Sequence, residues 1–178
     1  EAVMAQFGVP VARPDARTWV VAHQRYAPAA LEIEPDASAA SYVFAAAALL
    51  GGRVTVEGLG AGARQGDVAF VEVLEQMGAS VERTPTSLTV TGTGRLRGVE
   101  VDMAQISDTA QTLAVVAAFA EGPTRVTGIG FIRGKETDRI AAMAAELFKL
   151  GATVEAGHDH LTIHPPERLR PATIATYD

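Results

Sequence analysis

Five ionisable side chains fall within the eight residues Ile132-Arg133-Gly134-Lys135-Glu136-Thr137-Asp138-Arg139. Behind them Ile140, Met143, Ala144 and Leu147 recur at helical spacing, which predicts a helix over about Glu136–Leu150 with its stop at Gly151. Lys135 and Arg139 are four apart and would share a face over the first turn. The positive end of a helix dipole favours acidic groups, so two cations there go against the rule. Their presence points to an anion, a phosphate or carboxylate, bound among them and the free N–H groups of the first turn. The plainer alternative stays open: Glu136 and Asp138 could neutralise the cations in a solvated salt-bridge cluster.

Two aspartates stand at equivalent places, Asp36 and Asp108, each between an expected strand and an expected helix. Aspartate is a favoured N-cap, and Asp108 has Gln111 three residues on as a capping-box partner, which Asp36 lacks. An aspartate fixed at such a junction is also well placed to hold a substrate hydroxyl or take its proton. The loop Arg64-Gln65-Gly66-Asp67 precedes another helix; Asp67 is expected as a plain N-cap, with Gln65 a weaker ligand candidate. His158, Asp159, His160 and His164 could suggest a metal, but they read as a hairpin turn and the outer face of a strand, so no metal site is expected.

The elements that must carry these residues repeat. Gly8, Gly78 and Gly151 each close a helix and open a strand, at a period of about seventy residues. The other half of the repeat begins with strands at Leu31–Asp36 and Val99–Asp108. Helices at Ala37–Leu50 and Thr109–Glu121 follow, then strands at Arg53–Glu57 and Thr124–Gly128. One unit thus reads strand, helix, strand, helix, strand, strand (βαβαββ). The chain holds the tail of one unit, two complete units and, at Ala172–Asp178, the opening of another. This gives an α/β (α+β) class. Because neither end coincides with a unit boundary, a piece of a longer protein is expected.

Bulk composition narrows the function. Of 178 residues, 48% are hydrophobic and 20% charged, enough for a packed core. A net charge of −6 argues against general nucleic-acid binding, yet permits a local cationic pocket. There is no cysteine, hence no disulfide or thiolate chemistry. No apolar run is long enough for a membrane span, and a cytoplasmic protein is expected.

The segments Glu34-Pro35-Asp36-Ala37-Ser38, Ile106-Ser107-Asp108-Thr109-Ala110-Gln111 and Arg133-Gly134-Lys135-Glu136-Thr137-Asp138-Arg139 resemble those of the enolpyruvyl transferases, above all the branch acting on shikimate 3-phosphate. The resemblance runs almost end to end. It implies six βαβαββ units in two globular halves with the active site between them. Residues 1–33 would finish one half, and 34–178 would belong to the other. It implies transfer of the enolpyruvyl group of phosphoenolpyruvate to the 5-hydroxyl of shikimate 3-phosphate, with no cofactor or metal, by a monomer. By position, Asp108 matches an aspartate that binds the acceptor hydroxyls and helps proton transfer. Lys135 and Arg139 match phosphoenolpyruvate ligands, Glu136 an acid–base residue, and Asp36 a substrate-binding aspartate near the crossover between halves. Phe131 stands where many members carry an asparagine that touches the shikimate phosphate. An Asp-His-Arg motif is expected at or just after Asp178.

Overall fold

The structure, a computed structural model, describes residues 1–177. It divides into two compact units, Glu1–Glu34 and Pro35–Asp178. In the first, helix α1 (Ala2–Gln6) leads into a two-stranded antiparallel ribbon, β1 (Ala12–Asp15) and β2 (Thr18–Val20). Local contacts hold it: Arg13 stacks 5.0 Å from the Trp19 ring, and Phe7 meets Tyr26 edge-on at 6.4 Å.

The second unit contains the repeat. Helix α2 (Ala37–Leu50) is followed by β3 (Arg53–Glu57), a 3-10 turn at Gly66–Ala69, α3 (Phe70–Met77), β4 (Ser80–Arg83) and β5 (Ser87–Thr91). The next copy runs β6 (Glu100–Asp102), a 3-10 turn at Ser107–Thr109, α4 (Ala110–Ala117) and β7 (Thr124–Thr127). A 3-10 turn at Gly130–Gly134, α5 (Arg139–Lys149), β8 (Thr153–Ala156) and β9 (Leu161–His164) complete it. The two sheets have matching orders, β3-β5-β4 and β6-β7-β9-β8; all pairs are antiparallel except β6 with β7. Thus β3 and β7 occupy the same place, as do α3 and α5. The mixed α/β class and the repeated unit are as the sequence predicts. Gly8, Gly78 and Gly151 all have positive φ (79°, 115° and 97°), the left-handed region a helix stop needs and glycine enters without strain.

The core lies between the sheets and the helices. Alanines of α2 (Ala37, Ala40, Ala45, Ala47, Ala48) let α4 approach closely, and the Ser41 and Thr112 hydroxyls share a buried 2.9 Å hydrogen bond across that contact. On α5, Ile140 and Leu147 are fully buried, each contributing about 1.5–3 kcal/mol relative to exposure.

Several boundaries differ from expectation. Leu31–Asp36 is not a strand: no ladder partner takes it up, and Pro35 has no N–H to give. Val99–Asp108 is strand only at Glu100–Asp102, because Asp102 Oδ1 accepts the Ala104 N–H at 2.8 Å and turns the chain. Helix α4 ends at Ala117 rather than Glu121. Helix α5 begins at Arg139, not Glu136, because Asp138 caps it and Lys135 is extended. No strand forms within 172–177, and Asp178, where the expected Asp-His-Arg motif would start, lies outside the described residues.

Candidate active site

Lys135, Glu136 and Thr137 form a short loop held at both ends. Upstream, Ile132 is buried and Arg133 is tied to the β8–β9 turn, its Nε donating to His158 O (2.9 Å) and its Nη2 to Gly157 O (2.6 Å). Downstream, Asp138 Oδ1 accepts the Ala141 N–H at 3.0 Å as the helix cap, while Oδ2 accepts from Arg133 Nη1 at 2.6 Å. The Ala141 bond, with Arg133 beside it, holds the Asp138 carboxyl below the usual carboxylate range. Arg133 and Asp138 are therefore structural, and Lys135, Glu136 and Arg139 are left to face the open side.

Two of them, Lys135 and Arg139, meet at Asp108. Arg139 Nη1 donates to Asp108 Oδ1 at 2.9 Å, and Lys135 Nζ donates to the same oxygen. Arg139 also grips Glu136 with a fork, Nε to Oε1 at 2.7 Å and Nη2 to Oε2 at 2.8 Å, the planar geometry that suits a carboxylate or phosphate. The Arg139 side chain is only 17% exposed, whereas Asp108 and Glu136 are about half exposed, so the cation lies beneath two carboxylates that solvent can reach. Asp108 Oδ2 accepts no hydrogen bond from the described residues.

The electrostatics follow the bonds. Lys135 first, then Arg139, holds the Asp108 carboxyl below its usual range; Arg139 does the same to Glu136. Glu136 and then Asp108 push the Arg139 guanidinium up. The cluster sets two cationic side chains against two carboxylates, so its formal charges cancel. The arrangement is the salt-bridge cluster set out above, built from the same two cations, Lys135 and Arg139, that the anion reading would use.

The two equivalent aspartates have separated. Asp36 caps α2, its Oδ1 accepting the Ala39 N–H at 2.9 Å, and makes no hydrogen bond to Lys135, Glu136 or Arg139. Asp108 caps nothing: Thr109 stands at the start of α4, and the expected capping box with Gln111 does not form. Asp67 is not a helix cap either; its carboxylate accepts from the Ser38 hydroxyl. Gln65 is committed to the start of α2, accepting the Ala37 N–H at 2.9 Å and donating to Pro35 O at 2.6 Å. The turns Gly66–Ala69 and Ser107–Thr109 pack against each other and against α2, so Asp36, Gln65 and Asp108 share one end of the unit.

Among the described residues no group of three or more His, Cys, Asp or Glu is placed to hold a metal. His160 lies 3.5 Å from Asp159 and His164 3.1 Å from Glu155, as separate surface pairs. No helix of the described residues is long and apolar enough to cross a membrane. One residue escaped the sequence reading altogether. Glu146 is buried on α5 with Lys149, Ala175 and Tyr177 around its carboxylate. Its signal was a carboxylate three residues after Met143, on the helix's apolar stripe.

Comparison with known proteins adds the following. The family model for EPSP synthase (3-phosphoshikimate 1-carboxyvinyltransferase) matches residues 1–178. The chain is 48% identical over 186 residues to the chloroplastic 3-phosphoshikimate 1-carboxyvinyltransferase of Brassica napus, covering 99% of the chain and 36% of that protein. It is 47% identical over 178 residues to the enzyme of that name from Herminiimonas arsenicoxydans, covering 99% and 40%. A solved EPSP synthase from Acinetobacter baumannii superimposes with a TM-score of 0.78 at 27% identity, over 93% of this chain and 40% of that one. The enolpyruvyl transferase NikO from Streptomyces tendae shares the fold, with a TM-score of 0.69 at 23% identity, over 93% and 39%. The chain therefore spans 36 to 40% of the length of these relatives.

Proposed function

The chain belongs to the EPSP synthase family, and we propose that, within a full-length protein, it forms one wall of the site that transfers an enolpyruvyl group from phosphoenolpyruvate to the 5-hydroxyl of shikimate 3-phosphate. The observation that carries this reading is the meeting of Lys135 and Arg139 at one oxygen of Asp108. Two cations already arranged around a carboxylate oxygen are arranged for a phosphate or carboxylate oxygen too. Phosphoenolpyruvate brings both.

In this reading the substrate exchanges with the carboxylates. As its anionic groups take over Lys135 and Arg139, Asp108 and Glu136 lose the bonds that hold their proton affinity down. Each becomes a stronger base when the reactants are in place. Asp108 then receives the proton of the attacking hydroxyl, while Glu136 serves the methylene carbon, C3. Glu136, having taken up a proton from solvent once Arg139 leaves it, gives that proton to C3 while the hydroxyl oxygen bonds to C2, which gives a tetrahedral intermediate. Cleavage of the C2–O bond to phosphate, with a proton returning from C3 to Glu136 and the Asp108 proton passing to the departing phosphate, restores the double bond and releases inorganic phosphate. Lys135 and Arg139 stabilise the negative charge on the departing phosphate. Asp36 contributes at the start of the wall: its Oδ1 is committed to the helix cap, leaving Oδ2 to take a substrate hydroxyl. No step calls for a metal or cofactor. The full-length protein works as a monomer in this reading. The protein is cytoplasmic in this reading, although the plant relatives are named as chloroplastic.

The test is phosphate release by the full-length protein from phosphoenolpyruvate, with shikimate 3-phosphate or UDP-N-acetylglucosamine as acceptor. Turnover is expected only with shikimate 3-phosphate; turnover with the sugar nucleotide alone would show the acceptor to be misassigned. Asp108→Ala should lower kcat by about 100-fold or more, the scale of a lost general base, with a smaller effect on KM. Near-normal turnover in that variant would remove Asp108 from the chemistry.

A further inference from the structure

Arg133 commits each nitrogen of its guanidinium to a different partner. Nε donates to His158 O at 2.9 Å, Nη2 to Gly157 O at 2.6 Å and Nη1 to Asp138 Oδ2 at 2.6 Å. The Ile129 N–H donates to the next carbonyl, Asp159 O, at 3.0 Å. Three successive carbonyls of the β8–β9 turn are thus held by Arg133 and by the residue that precedes its 3-10 turn. The seat is close: a Cβ on Gly130 would lie 2.9 Å from the Asp159 Cβ, so a larger residue there would push the two turns apart.

The first copy of the unit seats its turn in the same place with a different donor. There the Gly58 N–H donates to Thr86 O at 2.8 Å and the Ala61 N–H to Thr84 O at 2.9 Å. Thr84 stands six residues past Gly78, as Gly157 stands six past Gly151, so their carbonyls are equivalent. A backbone amide takes the first and the Arg133 side chain takes the second. The side chain carries the tie forward along the chain, to within two residues of Lys135. Its other end, Asp138, lies three residues beyond Lys135 and caps α5. Lys135, Glu136 and Thr137 therefore span a short gap whose two ends are joined by one guanidinium.

Resting on the function proposed above, we propose that Arg133 is a positioning residue: braced on the β8–β9 turn, it holds Lys135 at the separation from Arg139 that suits the anionic groups of phosphoenolpyruvate. Arg133 itself touches no substrate. A planar guanidinium with all three nitrogens committed has one orientation. A lysine ammonium, a single point donor, cannot reproduce it.

The experiment compares the full-length wild type with Arg133→Lys, Lys135→Met and the double variant. Arg133→Lys keeps the charge, so a change in affinity cannot come from lost attraction for an anion. The KM for phosphoenolpyruvate should rise at least about threefold in Arg133→Lys. In the Lys135→Met background the same change should raise KM by less than about 1.5-fold, because the side chain it positions is gone. A purely structural arginine would lower the melting temperature and leave KM alone, or would act equally in both backgrounds. Wild-type KM in Arg133→Lys, or a further rise of about threefold in the Lys135→Met background, would overturn the inference. A second measurement is independent of catalysis. Hydrogen exchange at the Ile129 amide, which donates beside the tie, should quicken at least about threefold in Arg133→Lys. Unchanged exchange would also overturn it. A wild-type enzyme without turnover would instead refute the proposed reaction, leaving the exchange result to judge the tie.

Discussion

Arg139, the first residue of α5, donates to Asp108 Oδ1 at 2.9 Å across 31 residues of sequence. The bond joins the starts of two helices, α4 and α5, that pack against each other within one repeat. A shift of either helix would misplace an ion pair at the proposed site, so the packing of the apolar faces also sets the spacing of the charges.

Lys135 should matter to affinity more than to fold. It precedes α5, and among the described residues its ammonium donates to Asp108 alone. A hydrogen bond between charged groups is worth about 1.5–3 kcal/mol, roughly a 10- to 100-fold change in binding. Lys135→Met in the full-length protein should raise the KM for phosphoenolpyruvate by about that factor while the melting temperature barely moves. Steady-state kinetics beside a thermal melt check both halves of the expectation.

Asp36 and Asp108 should give opposite signatures. Asp36 caps α2 through Ala39, and losing such a cap costs about 0.5–2 kcal/mol. Asp36→Ala should therefore lower stability in a urea titration. Asp108 caps nothing, so Asp108→Ala should cost less stability than Asp36→Ala and far more turnover.

The acid limb of stability should depend on Asp108. Its carboxyl, ordinarily near 3.8, is held lower in the folded chain by Lys135 and Arg139. The ionised form therefore stabilises the fold above pH 3.8, and that contribution is lost as pH falls through the lower folded value. At pH 6, Asp108→Asn should be less stable than wild type by about 0.2–1 kcal/mol, the range for a solvent-accessible ion pair. The gap should close on acidification below pH 3.8. Urea titrations at pH 6, 4 and 2.5 measure it, and a gap that widened in acid would contradict the assignment.

What could be read in advance was local. Helix α2 has its cap, its apolar residues and its terminal glycine within sixteen consecutive positions, and its span matches expectation residue for residue. Strand β3 alternates in the usual way and also matches. Leu31–Asp36 failed as a strand because a strand exists only through its neighbour, and composition does not say whether the neighbour comes. The capping box read between Asp108 and Gln111 does not form, and the partners Asp108 does have lie 27 and 31 residues on, out of reach of a local reading. Glu146 went unseen for the same reason, with partners 29 and 31 residues away. The charged run was found by its types, but the pairing inside it was not. Arg133, counted in the run but assigned no role there, anchors the loop, and Asp138 pairs with it rather than with Arg139.

The separation of Asp36 from Asp108 bears on how such a site can arise. When a folding unit is copied within one chain, each position exists twice, and only one copy must go on serving the scaffold. Here the first copy keeps the helix-starting duty. In the second, Thr109 stands at the helix start and leaves the carboxylate free to face two cations. A repeat protein can thus free a charged side chain for new partners by releasing old structural residues one copy at a time, without inserting new ones into a finished fold. The aspartate at the matching position of any further copy can be sorted by one question: whether the helix beside it still needs it.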